Sequence, residues 1–224
     1  MSELELAPYR DLISRRGRGE PVAYLTGRKE FMGLEFEVTS DVLVPNPDTE
    51  TLVARVVEWG RERGGVVTLA DVGTGSGCIA IAVAHFLPEA TVDASDISAA
   101  ALAVARRNIE RFRFSDRIRL FEGDLVDPLP RTYDAIVANL PYLTADADLA
   151  PEVTAQPAVA LFGGPDLVNR LLLEGASKLN RGGYVFAEID AAIPGALRVE
   201  AYAGHWLHRD LGGHERVLEA WLGG

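Results

Sequence analysis

The 224-residue sequence predicts a doubly wound α/β fold on a seven-stranded, mostly parallel sheet, with a small β-hairpin near the N-terminus. Three observations lead there. Between residues 66 and 139, short apolar runs alternate with helical patterns, the signature of strand–helix–strand units. The runs VVTLADV and YDAIVAN are nearly continuous in apolar residues, as strands covered on both faces are. A glycine-rich DVGTGSG at 71–77 ends the first of these strands and opens a helix, where a backbone can close on a ligand.

Taken in order, residues 1–18 suit one short helix, broken at Gly17-Arg18-Gly19. From Pro21 to Pro45 the pattern reads as extended, first through Ala23-Tyr24-Leu25, then Lys29-Glu30-Phe31 and Leu34 to Val38. Met32-Gly33 supplies a tight hairpin turn. Residues 1–45 thus form a short N-terminal helix and hairpin, and 46–224 the main domain. PNPDTETLVARVVEWGRERGG reads as a helix. Pro47 sits in its first turn, Asp48 and Glu50 suit its positive end, and Gly64-Gly65 stops it. Alternating elements follow: VVTLADV, CIAIAVAHFL, TVDASD, SAAALAVARRNIERF, RIRLFEG and YDAIVAN. A proline-bearing loop spans 143–165, a helix about 166–180, then the strand YVFAEID. Pro194 starts a short helix that Gly204 ends, and strands near 205–209 and 215–222 turn at Gly212-Gly213.

Composition narrows the function. The longest apolar stretches are short and interrupted, so no membrane span is expected. The acidic start MSELELAPYR does not resemble a signal peptide. The lone Cys78 can make no internal disulfide and reads as a small buried helix residue, which suits a reducing, cytoplasmic setting. A net charge of −11 argues against tight, non-specific nucleic-acid binding. Arginines at 106, 107, 111, 113, 117 and 119 read as a solvated face, and the basic cluster at 15–29 as a surface that meets a partner. His205, His208 and His214 lack the companions of a zinc site, so no metal is expected.

The residues that carry chemistry are few. Gly73, Gly75 and Gly77 have a G-x-G-x-G spacing rather than that of a nicotinamide dinucleotide site. They suit a nucleoside with a carboxylate-bearing tail, and S-adenosylmethionine is the expected cofactor. Asp71 is placed to orient this loop or the donor's ammonium group. Asp96, at the end of the second strand, can accept both ribose hydroxyls, and Asp124 the adenine amine. The competing readings are a helix N-cap for Asp96 and a turn carboxylate for Asp124. Thr74, Ile97, Leu125 and Asn139 complete the expected donor set.

Asn139-Leu140-Pro141-Tyr142 ends the fourth strand at the carboxyl edge, where open α/β sheets bind ligands. An amide or aromatic amine is a poor nucleophile because its lone pair is delocalised. The Asn139 side-chain oxygen and the Leu140 carbonyl can each accept one N–H, which aims the lone pair at a sulfonium methyl group. Tyr142 can stack on the planar acceptor. The tetrad is the expected catalytic set; the bland alternative is an ordinary Asn-Pro turn.

Over about residues 19–222 the chain resembles the HemK/PrmC group of class I, Rossmann-like methyltransferases. GEPVAYLTGRKEFMGLEFEV, VPNPDTETLV, DVGTGSGCIAIAVA, SDISAAALAVARRN, GDLVDPL, APEV, LFGGPD, LNRGGYVFAEID and DLGGHERV carry the resemblance. It implies methyl transfer to a glutamine amide of a peptide-chain release factor, with Asp96 on the ribose, the 73–77 loop on the methionine part and Asn139 on the acceptor amide. Three features depart from the family pattern: Leu140 replaces a proline, Asn46 and Asp48 replace an arginine and a glutamate, and only about eighteen residues precede the match where the family carries a helical N-terminal domain, as expected of either a shortened relative or a truncated start. The tetrad is also similar to that of adenine-N6 methyltransferases acting on nucleic acid, which is the second reading. An inactive donor-binding protein is the third. The loop at 143–165 is expected to cover the acceptor.

Overall fold

A computed structural model describes residues 3–144, 147–190 and 194–224. Its centre is a seven-stranded sheet of order β5-β4-β3-β6-β7-β9-β8. The strands are β3 (Thr68–Val72), β4 (Thr91–Asp96), β5 (Ile118–Glu122), β6 (Tyr133–Ala138), β7 (Leu179–Glu188), β8 (Gly204–Arg209) and β9 (Glu215–Trp221). From β5 through β7 neighbouring strands run parallel, while β9 is antiparallel to both β7 and β8. From β3 the chain winds outward through β4 and β5, then returns to β6 on the other side of β3. The gap at the carboxyl ends of β3 and β6 is therefore the topological switch point, where the connections diverge and leave a crevice.

The helices are α1 (Glu3–Gly17), α2 (Val22–Thr26), α3 (Asp48–Arg63), α4 (Cys78–Phe86), α5 (Ala99–Phe112), α6 (Pro151–Thr154) and α7 (Gly164–Ala176). One apolar layer joins α3 and α4 to the sheet through Leu52, Val56, Ile81 and Val83, all essentially buried. A second joins α7 to the opposite face through Val168, Leu171 and Leu172. Each such side chain, fully buried, contributes about 1.5–3 kcal/mol.

A hairpin of β1 (Arg28–Phe31) and β2 (Leu34–Glu37) turns at Met32 and Gly33, both left-handed at φ 54° and 76°. Two successive positive φ angles match the right-handed twist of a tight hairpin. The Glu50 carboxylate holds this turn by accepting the Met32 N–H at 2.8 Å. Phe31 and Phe36 are fully buried in the α3/α4 layer, and Phe36 packs on Phe112 of α5.

Three local expectations are corrected. Ala23-Tyr24-Leu25 lies in the short helix α2 rather than an extended segment. Pro21 precedes it, Gly27 at φ 71° closes it, and the Tyr24 hydroxyl donates to the Val42 carbonyl at 2.6 Å. Tertiary anchoring and end signals, with the helix preference of Ala and Leu, outweigh the extended preference of Tyr. Helix α7 stops at Ala176, because Leu179 already pairs with Tyr133 of β6 and a bulge at Arg181-Gly182-Gly183 restores the register. After Pro194 there is one 3-10 turn, Pro194–Ala196, instead of a helix reaching Gly204. No helix among the described residues is long and apolar enough to cross a membrane.

Candidate active site

At the switch point the glycine loop leaves β3 and enters α4. Gly73, Gly75 and Gly77 take φ angles of 75°, 56° and 80°, a region costly for any residue with a Cβ. At Gly73 an added Cβ would stand 3.0 Å from the Leu140 side chain, and at Gly77 it would press on Ala105 of α5. The first glycine lets the tetrad close on the loop; the third lets α5 approach α4.

Asp71 holds the loop from below. Its Oδ2 accepts from the Thr74 hydroxyl at 2.6 Å and from the Ala80 N–H at 3.1 Å, while Oδ1 is buried without a partner among the described residues. Burial raises its pKa to about 7, against the pull of these two donors. Asp71 orients the glycine loop and is not part of the cavity wall beyond it.

That wall encloses a cavity of about 390 Å³ lined by Gly73, Thr74, Gly75, Asp96, Ile97, Asp124, Leu125 and Asn139 among others. Eight of the ten donor residues expected from sequence thus share one cavity; Asp71 and Gly77 sit behind it. Asp96 accepts from Gly75 N at 2.8 Å and from Ser98 N at 2.9 Å, which ties the glycine loop to the residue before α5. Burial raises its pKa and these backbone donors oppose the rise. Helix α5 is capped by Ser98, whose Oγ accepts from Ala101 N, so Asp96 is free of the N-cap duty. Ile97 is 59% exposed, an apolar side chain on the cavity wall. Asp124 accepts from Arg170 of α7 at 2.9 Å, a partner that the sequence does not reveal. Leu125 adopts φ 43° and its carbonyl accepts from the buried Ser95 hydroxyl at 2.8 Å. Cys78 is the first residue of α4, as expected of a helix residue, and part of its surface lines this cavity, while burial raises its thiol pKa.

A second cavity, about 320 Å³, lies on the other side of the tetrad and is lined by Lys29, Asn139, Tyr142 and Glu188, among others. Asn139, Leu140 and Pro141 line both cavities, as do Pro45 and Asn46. The Asn139 Nδ2 donates to Thr49 Oγ1 of α3 at 2.9 Å, which fixes the amide at the junction. Burial raises the Tyr142 phenol to about 12, so it is neutral at physiological pH. The 143–165 segment contributes to both walls, Phe162 to the first cavity and Leu143, Val153 and Gln156 to the second; Ala145 and Asp146 lie outside the described residues.

Sequence reasoning missed Thr49, Arg170 and Glu188. Glu188 had a legible signal: it ends a strand at the same carboxyl edge as Asn139, since Ala187 pairs with Ala138. Thr49 and Arg170 had none, because helix periodicity does not say which polar residue faces a distant loop.

Residues 49–168 match the family described as Methyltransferase small domain. The chain is 42% identical over 235 residues to the release factor glutamine methyltransferase of Moorella thermoacetica, covering 98% of this chain and 83% of that protein. It is 39% identical over 232 residues to that of Rhodopirellula baltica, covering 96% and 78%. Among solved structures, a methyltransferase from Pyrococcus furiosus superposes with a TM-score of 0.63 at 21% identity, covering 96% of this chain and 99% of that one. At that identity it supports the fold alone.

Proposed function

The chain belongs to the methyltransferase small-domain family and, within it, to the release factor glutamine methyltransferases, and from that premise we propose that it methylates the side-chain amide nitrogen of a glutamine in a peptide-chain release factor. S-adenosylmethionine is the donor. One observation carries the reading: the Asn139–Pro141 segment is a wall common to two cavities, and on this reading the first takes the nucleoside donor and the second the acceptor. In-line displacement needs that arrangement, because donor carbon and acceptor nitrogen must approach through one opening.

The first cavity fits the donor on its own terms. Its size falls within the roughly 300–1,000 Å³ of ligand pockets. Glycine backbone and the start of α4 face a carboxylate-bearing tail, and the Asp96 carboxylate retains lone pairs beyond its two backbone donors. The donor supplies an electrophilic methyl group on a sulfonium. The chain supplies the rest. With Nδ2 held by Thr49, Asn139 presents Oδ1 to one N–H of the acceptor amide, and the Leu140 carbonyl accepts the other. These bonds orient the nitrogen and stabilise the positive charge that grows on it. Tyr142 covers the planar amide and excludes water. No strong base is needed beforehand, since the nitrogen turns acidic only as it gains the methyl group. Replacing the family's proline by Leu140 keeps that carbonyl, and the side chain packs over Gly73 instead.

The test is transfer of label from the donor, with purified release factor and ribosomal RNA offered side by side. Label on the factor, lost when its acceptor glutamine is replaced, is the expected result; label on RNA alone refutes the reading. Asn139→Ala should abolish transfer, by about 100-fold or more, while calorimetric donor affinity stays within a few-fold.

A further inference from the structure

Glu188 is the most deeply buried carboxyl beside the acceptor cavity. It is 1% exposed and lines that cavity, yet neither Oε1 nor Oε2 makes a hydrogen bond of ordinary geometry among the described residues. It leaves the sheet beside Asn139, as the pairing of Ala187 with Ala138 requires. Thr49, in the first turn of α3, serves both. Its Oγ1 accepts from Asn139 Nδ2 at 2.9 Å, and its hydroxyl stands close enough to Glu188 to favour the charged carboxylate.

The donor and acceptor count at this triad decides how the amide is turned. The two ends of an asparagine amide have almost the same shape, so packing hardly distinguishes them; hydrogen bonding does. An ionised carboxylate can only accept. With Glu188 ionised, the carboxylate draws the single Thr49 proton towards it, in keeping with the way Thr49 favours its charged form, and Thr49 meets Asn139 as the acceptor that it is in the structure. The Asn139 NH2 then faces Thr49 and Oδ1 faces away from it, towards the acceptor. With Glu188 protonated, the carboxyl can donate to Thr49, Thr49 can donate to Asn139, and the amide is free to turn over. It would then oppose its own N–H groups to those of the acceptor.

We propose that Glu188 is a positioning residue which, through the Thr49 hydroxyl, sets which end of the Asn139 amide faces the acceptor. This rests on the acceptor site proposed above. The surroundings of Glu188 tune its charge. Burial is the largest influence and raises its pKa; Thr49, Arg216 of β9 and Tyr142 lower it, and Asp48 of α3 raises it. The balance lies at about 7, so the switch would operate near physiological pH. Arg216 is itself held by Asp210 at 3.2 Å and Asp48 at 3.6 Å. Lys29 of β1 lines the same cavity, and the charge of Asp190 acts on Tyr142.

The test needs neither donor nor acceptor. In the 15N-labelled whole chain, the Asn139 side-chain amide resonances, assigned by their loss in Asn139→Asp, should shift along one titration curve centred near neutrality. Glu188→Gln and Thr49→Val should each remove that curve, and Thr49→Ser should restore it. A curve that survives Glu188→Gln overturns the proposal. The melting temperature of Glu188→Gln at pH 8 should be no lower than that of the wild type, because a neutral group replaces a buried charge. A marked drop would assign Glu188 a merely structural role and also overturn it. With an active acceptor, Glu188→Gln should lower kcat at least tenfold and flatten the acid limb of its pH profile, with donor Kd within twofold. Wild-type failure to label a release factor would sink the proposed function while leaving the amide titration to decide this one.

Discussion

Leu125 shows how far the donor side depends on one residue's backbone. At φ 43° it occupies a region that costs a side-chain-bearing residue about 1–3 kcal/mol. The buried Ser95 hydroxyl, donating to its carbonyl at 2.8 Å, helps to hold it there. The same Ser95 accepts the Gly73 and Thr74 N–H groups on its own carbonyl, at 2.9 and 3.0 Å. One residue of β4 therefore braces two walls of the cavity. Ser95→Ala should cost about 1–3 kcal/mol of stability, the price of an unpaired buried carbonyl, and weaken donor binding several-fold. Urea unfolding and calorimetry would check both, and an unchanged donor affinity would show that Leu125 needs no such brace. Residues of this kind are hard to read in a sequence. Gly73 and Asp96 announce themselves by type and place, whereas a strained leucine and a serine inside a strand look ordinary.

Among the elements, α5 and the hairpin carry the most unexpected linkage. Asn108 of α5 is fully buried and makes three bonds: its Oδ1 accepts from Glu37 N at 2.8 Å, and its Nδ2 donates to the carbonyls of Glu37 at 3.0 Å and Ser76 at 2.9 Å. One amide thus ties β2, α5 and the glycine loop together. Asn108→Ala would leave three backbone groups without this partner, the Ser76 carbonyl buried and the two of Glu37 partly so, and should cost about 2–4 kcal/mol. It should also loosen the loop, so thermal melts should show a smaller shift on adding donor than the wild type gives. An equal shift would mean that the Ser76 contact does not matter to the loop. The basic run on α5 and β5 is largely engaged as well: Arg107 pairs with Glu37, Arg111 with Glu35 and Arg119 with Asp93, while Arg117 donates to the Pro88 carbonyl. Carboxylates brought in from the hairpin and β4 meet these arginines, which charge counting along the chain cannot show.

At the scale of the whole molecule, the buried carboxyls set opposing limbs of stability against pH. Asp93 is buried, which alone would raise its pKa, but Arg119, Tyr133 and Arg131 outweigh burial and hold it below the usual range. Such a group contributes stability above the ordinary carboxylate value and loses it as pH falls through the depressed one. Asp71 and Glu188 act the other way, since both are raised to about 7. When pH rises from about 4, the unfolded chain releases these protons first, so stability falls until about pH 7 and then levels. The urea midpoint should therefore peak on the acid side of neutrality. The Asp71→Asn, Glu188→Gln double variant should lose the fall between about pH 4 and 7 while keeping the acid rise. A double variant with an undiminished fall would contradict the assignment.

The sequence alone determined the class of sheet, the place of the glycine loop and the tetrad, and the type of chemistry. Apolar runs, glycine spacing and strand ends are local signals, because backbone sterics and burial act over a few residues. The fold family follows from the same short stretches. Only the tertiary structure decided that the tetrad divides two cavities, that Thr49 holds the Asn139 amide, and that Asp124 meets Arg170. Those partners are 90 and 46 residues apart in the chain. What brings them together is the winding of the sheet outward from β3 and back to β6, and no local pattern encodes which polar side chains that winding will oppose.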